Sequence, residues 1–189
     1  LNKIIVGVDE AGRGPLAGRV YAAAVILNPD KKIKLLNDSK KISVSLRENL
    51  YNEIIDKSIA FGVSYATHEE IDDLNILQAT FLAMNRALDK IKSNFNYVLV
   101  DGNIYPFGLK YNGEAVIKGD TKIHEIMAAS ILAKVERDRY MHKMDKLYPD
   151  YHFYKHKGYP TKLHRELIKK YGPSIIHRKT FKGVREFIK

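Results

Sequence analysis

The chain has 189 residues, no cysteine and a formal net charge of +10, which suits one domain over residues 1–189 and excludes a disulfide framework or a thiolate zinc site. No apolar run nears the roughly 18 residues of a membrane-crossing helix, and the first residues lack the segments of a secretory signal, so a cytoplasmic location is the expectation. The charge is uneven, with 19 Lys/Arg against 18 Asp/Glu in residues 1–140 and 13 against 4 in 141–189, as expected of a basic C-terminal extension that grips a polyanion. Position 1 is Leu rather than Met, which leaves a trimmed chain and an unusual start codon both open.

In chain order, Lys3–Asp9 is a nearly continuous apolar run that predicts a buried strand, and Val20–Leu27 predicts a second. Gly12, Gly14, Pro15 and Gly18 lie between them, a long connection that suits antiparallel pairing. Ser43 or Ser45 can cap a helix carrying Leu46, Leu50 and Ile54, and Ile59–Tyr65 predicts a third strand. Leu77, Phe81, Met84, Leu88 and Ile91 repeat at helical spacing from Asn75 to Ile91. Tyr97–Val100 reads as a strand stopped at Asp101-Gly102-Asn103, and Ala115–Ile117 as a short one stopped at Lys118-Gly119-Asp120. A long helix follows over about 121–147, with Ala128, Ala129 and Ala133 on the face that lies against a sheet. Residues 148–160 are aromatic and basic without a period; Thr161 then caps a helix with Leu163 and Leu167 inward, ended by Gly172-Pro173. The sum is an α/β fold, a mixed sheet flanked by helices, with a basic helical extension over about 141–189.

Three apolar strands thus end in acid: Asp9-Glu10, Asp101 and Asp120. One such Asp is an ordinary turn former, but acids from separate strand ends can converge where neighbouring connections diverge. Four close carboxylates need compensating positive charge, and oxygen ligands without His or Cys suit magnesium or manganese. Two such ions can activate a water and stabilise the leaving oxygen in displacement at phosphorus. Adjacent strand residues point to opposite faces, so Asp9 and Glu10 can share ions only if the backbone bends at Glu10. Gly12-Arg13-Gly14 offers bare backbone to a sugar, and Arg13 a bidentate contact for phosphate; a phosphate loop of the G-x-x-x-x-G-K-[ST] type is absent.

The blocks D-E-A-G-R-G-P-L-A-G at 9–18, N-D-S-K-K at 37–41, D-L-N-I-L around 73–77, V-D-G-N at 100–103, K-G-D at 118–120, A-A-S-I-L-A-K-V-E-R-D at 128–138, H-K-G-Y-P-T at 156–161 and H-R-K-T-F at 177–181 together resemble the type 2 ribonucleases H, the ribonuclease HII family. The resemblance runs the length of the chain. It implies a ribonuclease H-like fold and an endonuclease that cuts the RNA strand of RNA/DNA hybrids and single ribonucleotides in duplex DNA, leaving 3′-hydroxyl and 5′-phosphate ends; a monomer is the expectation. It implies Asp9, Glu10, Asp101 and Asp120 as ligands of magnesium or manganese. It also implies Gly12, Arg13 and Gly14 as readers of the ribose 2′-hydroxyl, a group that donates and accepts. Ser39, Lys40 and Lys41 would hold phosphates, and Tyr159 would stack on the following deoxyribose, where an extra hydroxyl would clash. Arg19 departs from the pattern, which commonly has proline or a small apolar residue there, and puts the start of the second strand in question.

Asp138, flanked by Arg137 and Arg139, reads as a structural ion-pair residue, and His156 and Lys157 as surface charges near the substrate at most. The remaining histidines read as surface or packing residues. Two other readings stay open: a relative of the same fold acting on DNA, such as a junction resolvase, and a non-catalytic nucleic-acid-binding module. The second accounts for the charge but not for acids closing three strands.

Overall fold

The computed structural model describes residues 3–34, 36 and 43–188. Its centre is a five-stranded sheet in the order β3-β2-β1-β4-β5. Strands β1 (Ile5–Ala11), β2 (Val20–Ile26) and β3 (Ala60–Ala66) pair antiparallel in sequence; β4 (Tyr97–Asp101) lies parallel to β1 and β5 (Gly113–Val116) parallel to β4. β2 is buried at all seven positions, which is why its sequence shows a continuous apolar run rather than alternation.

Each face of the sheet carries its own helical layer. Helix α3 (Ile76–Leu88) covers one, burying Phe81, Met84 and Leu88 against Val6, Val8, Ala22, Ala24, Val98 and Val100. Helices α1 (Val44–Lys57) and α4 (His124–Leu147) cover the other, burying Leu50, Ile54, Ala128, Ala129 and Leu132 against Ala23 and Val25. Fully burying a side chain such as Leu50 or Ile54 stabilises the fold by about 1.5–3 kcal/mol. Gly7 fixes how close α4 comes, because a Cβ there would lie 2.2 Å from the Glu125 carbonyl carbon.

Capping sets the helix starts. Ser43 accepts from the Leu46 N–H, Asn75 from those of Leu77 and Gln78, and Thr161 from that of His164. The long helix begins at His124 rather than 121, because Gly119–Thr121 forms a separate 3-10 turn. A short helix absent from the sequence expectation, α2 (His68–Leu74), starts from a reciprocal capping box between Thr67 and Glu70.

The C-terminal extension packs on the far end of α4. Its elements are 3-10 turns at Pro149–Tyr151 and Arg185–Phe187, helix α5 (Phe153–His156) and helix α6 (Lys162–Tyr171). Met141, Met144, Tyr151, Phe153 and Ile176 form its core together with Ala17 from the β1–β2 connection. Ala17 also makes an isolated antiparallel bridge with His177. The inward line of α6 is His164 and Ile168, with Leu163 and Leu167 only half-buried beside it. That corrects the expected face, and the reason is a buried cluster into which His164 fits. β2 starts at Val20 as expected despite Arg19, whose guanidinium lies over the Tyr65 and Tyr140 rings at 3.8 and 4.7 Å. Among the described residues no helix is long and apolar enough to cross a membrane.

Candidate active site

The backbone does not bend at Glu10. β1 continues through Ala11, with Asp9 opposite Ala23 and Glu10 opposite Ala22, and turns only at Gly12, whose φ is +99°. Alternation therefore holds: Asp9 points to the face covered by α4, where Ser130 donates to its carboxylate, and Glu10 to the face covered by α3. In β4 the parallel register pairs Val8 with Val100, which sets Asp101 beside Asp9 on the same face. The Asp120 N–H donates to Asp101 Oδ1 at 3.1 Å. β1 and β4 thus set Asp9 and Asp101 side by side at one end of the sheet, the backbone of Asp120 reaches Asp101 from the 3-10 turn at Gly119–Thr121, and Glu10 lies across the strand.

The electrostatics of that group are those of an incompletely compensated anion. Asp9 is 5% exposed, and among the described residues no Lys or Arg forms a salt bridge with it. Burial, and then the charges of Glu10 and Asp101, hold its carboxyl well above the usual range; hydrogen bonds from Ser130 and from the Glu10 N–H, at 2.7 Å, only partly offset this. Burial also raises Glu10, against the pull of Arg13, whose Nη1 is 3.5 Å from Glu10 Oε1. Among the described residues no three Asp, Glu or His side chains form a ready-made metal cage. The donors are nevertheless hard carboxylate oxygens around a buried charge that has no cationic partner among those residues, which fits a divalent ion.

Two clefts flank this end of the sheet, and Glu10 lines both. One is narrow, between α3 and the Asp101-Gly102-Asn103 turn, and includes Arg13. The other, of about 270 Å³, is lined by Gly12, Arg47, Ser130, Lys134 and Tyr159. Tyr159 is 41% exposed, and its Cε1 lies 3.7 Å from where a Cβ on Gly14 would sit. Glu10 and Asp101 are therefore neighbours of Arg13 in the first cleft, and Glu10 is a neighbour of Gly12 and Tyr159 in the second. Ser39, Lys40 and Lys41 lie outside the described residues.

Two buried arginines set the shape of the Gly-Arg-Gly loop, and neither was singled out by the sequence. Arg178, 0% exposed, donates to the carbonyls of Gly12 (2.6 Å), Arg13 (2.9 Å) and Gly18 (2.9 Å). Arg137, also fully buried, donates to Lys157 O at 2.9 Å and lies directly beneath Gly12. Among the described residues neither guanidinium has a carboxylate partner, and Nη1 of Arg137 has no hydrogen-bond partner. Burial pushes both down, Arg178 to about 9. Asp138 is the structural ion-pair residue expected, but its partners are Lys134 (2.7 Å) and Arg47 (3.9 Å) rather than the adjacent arginines. His156 is not a surface charge: it is 7% exposed, accepts from Gly158 N–H at 3.1 Å and donates to Tyr151 O at 2.8 Å.

A family model described as Ribonuclease HII matches residues 6–184. The chain belongs to the ribonuclease HII family. A ribonuclease HII from Francisella philomiragia is 54% identical over 181 residues, covering 96% of this chain and 97% of that protein. One from Marinomonas is 53% identical over 185 residues, covering 98% and 93%. Among solved structures, ribonuclease H2 from Pyrococcus horikoshii superimposes with a TM-score of 0.81 at 30% identity, covering 97% of this chain and 96% of that one. As a ribonuclease HII family member the chain is a type 2 ribonuclease H, an endonuclease of RNA/DNA hybrids. The sheet flanked by helices is the fold that the resemblance implied.

Proposed function

We propose that this ribonuclease H also cuts beside single ribonucleotides in duplex DNA, leaving 3′-hydroxyl and 5′-phosphate ends, with magnesium or manganese held by Asp9, Glu10, Asp101 and Asp120. The observation that carries the reading is the buried Asp9 carboxylate, set beside Asp101 at the sheet end without a cationic partner among the described residues. Two divalent ions bound there would supply the charge that acidifies an attacking water and neutralises the leaving oxygen.

The protein's own groups bind and orient the strand. Arg178 draws the Gly12 and Arg13 carbonyls inward, which leaves the loop's N–H groups and the bare Gly14 for the ribose 2′-hydroxyl. Arg13, half-exposed and only loosely tied to Glu10, meets a phosphate beside the scissile bond. The Tyr159 ring stacks on the next sugar and accepts a deoxyribose more readily than a ribose. Lys134 and Arg47 line the same cleft as Tyr159 and add phosphate attraction.

The test is incubation with magnesium and an end-labelled duplex carrying one ribonucleotide. The reading predicts a single cut beside it, with 5′-phosphate and 3′-hydroxyl products, and none in chelator. An all-DNA duplex cut at a comparable rate would favour the resolvase-like alternative instead, and undiminished cleavage in chelator would remove the metal from the reading.

A further inference from the structure

Three histidines, His156, His164 and His177, lie buried together behind Tyr159. The rings of His156 and His164 stack at 4.2 Å with an 18° tilt. Nε2 of His164 and Nε2 of His177 are 3.0 Å apart, Nδ1 of His164 is 3.0 Å from the Tyr159 carbonyl, and the Ser174 N–H meets Nδ1 of His177 at 2.8 Å. No carboxylate accepts from any of the three rings among the described residues.

A backbone N–H aimed at Nδ1 of His177 orders the protons from His177 to Tyr159, and the Ser174 hydroxyl, also 2.8 Å from that Nδ1, can donate to it as well. A peptide N–H can only donate, so Nδ1 of His177 is an acceptor and carries no proton. The His177 proton is therefore on Nε2 and points at Nε2 of His164, which must accept it. The His164 proton then lies on Nδ1 and is donated to the Tyr159 carbonyl. His156 obeys the same logic independently: the Gly158 N–H makes its Nδ1 an acceptor, and its Nε2–H goes to Tyr151 O. A second proton on any ring would set donor against donor. The rings' burial acts in the same direction, holding His164 down to about 4 and His177 to about 3.

The consequence falls on the segment that presents Tyr159. Lys157 and Gly158 have φ of +51° and +82°, a conformation that needs outside support at Lys157. Arg137 holds the Lys157 carbonyl, His156 the Gly158 N–H, the Leu16 N–H the Gly158 carbonyl, and His164 the Tyr159 carbonyl. We propose that His164, oriented by His177, is a positioning residue that fixes the Tyr159 ring against the sugar after the cut site, and so sets the preference for an isolated ribonucleotide over continuous hybrid. This rests on the stacking role given to Tyr159 above.

Two measurements test it. In the intact protein, multiple-bond ¹H–¹⁵N spectra of the imidazole rings report each tautomer at neutral pH. The expected pattern is Nδ1–H for His164 and Nε2–H for His177 and His156; any other tautomer at His164 or His177 overturns the proposal, whether or not variants fold. The second compares His164→Asn, whose amide N–H sits where Nδ1–H was, with His164→Gln, which reaches His177 but cannot donate to Tyr159. Cleavage at one embedded ribonucleotide relative to continuous hybrid is expected to fall about fivefold in His164→Gln, the worth of one lost hydrogen bond, and to stay within about twofold in His164→Asn. The same His164→Gln change in a Tyr159→Ala background is expected to leave the ratio where Tyr159→Ala alone puts it, because the two act through one ring. Tyr159→Ala without effect on the ratio refutes the stacking role itself. A normal Tyr159→Ala effect combined with an unchanged ratio in His164→Gln, or with additive losses, refutes only the histidine proposal.

Discussion

A single methyl group on Gly12 is expected to disable the loop without touching an acid. The added Cβ would lie 2.0 Å from Nε of Arg137 and 2.4 Å from its Cδ, about 1.4 Å short of the 3.4 Å at which ordinary contact begins. Arg137 cannot retreat, being fully buried with hydrogen bonds to Lys157 O at 2.9 Å and Arg19 O at 3.3 Å. Breaking one or two bonds to a buried charge costs about 1.5–3 kcal/mol each, and the φ of +99° adds about 1–2 kcal/mol for an L-residue. The total is about 2.5–8 kcal/mol, against a typical domain stability of about 5–15 kcal/mol. Urea denaturation of Gly12→Ala beside Gly14→Ala is the assay, because a Cβ on Gly14 meets only Tyr159 Cε1, at an ordinary 3.7 Å. Gly12→Ala is expected to lose several kcal/mol and its cleavage of hybrid, and Gly14→Ala less than about 1 kcal/mol of stability. A Gly12→Ala protein as stable and active as the parent would show that Arg137 does not brace the loop.

Asp9→Asn is expected to abolish cleavage yet melt higher than the parent in chelator at neutral pH, because it removes a buried charge that burial and its neighbours disfavour; a lower melting point would contradict that electrostatic picture. Asp101→Asn is expected to abolish turnover while hybrid binding, measured by fluorescence anisotropy, stays largely intact. Acid is expected to weaken the fold through His164 and His177, whose folded values of about 4 and about 3 lie below the unfolded value of about 6.5. Their contribution is complete above that unfolded value and fades as pH falls from it toward the folded values, by about 1.4 kcal/mol per pH unit per group. Because the raised Asp9 and Glu10 act in the opposite sense, the clean readout is the difference in urea stability between parent and His164→Asn at pH 7 and 5. Identical pH dependence in the two would count against a neutral His164.

The strands and long helices were legible because each buries an apolar run or stripe whose period survives in the sequence, as in β2 and α3. The end of β1 was misread because Asp9 and Glu10 look like a stop, yet both have strand partners in β2. Helix α2 escaped because it buries only Ile71; its readable signal was the Thr67-x-x-Glu70 capping box. Asp9 and Asp101 could be paired from the ends of their apolar runs, and the β1–β4 register sets them side by side, whereas Asp120 sits in a 3-10 turn beyond β5. The arginines and histidines that hold the loop and Tyr159 could not be found this way. Arg137 sits between Glu136 and Asp138 like any charge on a helix surface, and what makes it special is a carbonyl more than 100 residues away. His164 escaped for a related reason, since periodicity scores a histidine as polar although this one is fully buried.

The central claim is that carboxylates from separate strands meet around divalent cations beside the Gly-Arg-Gly loop. Anomalous scattering from a crystal grown with manganese tests it most directly. The account predicts a peak shared by Asp9 and Asp101 carboxylate oxygens, with Glu10 or Asp120 completing the protein's share and no peak in an Asp101→Asn crystal. Asp9 and Asp101 without a common ion, or manganese bound equally well after Asp101→Asn, would contradict it.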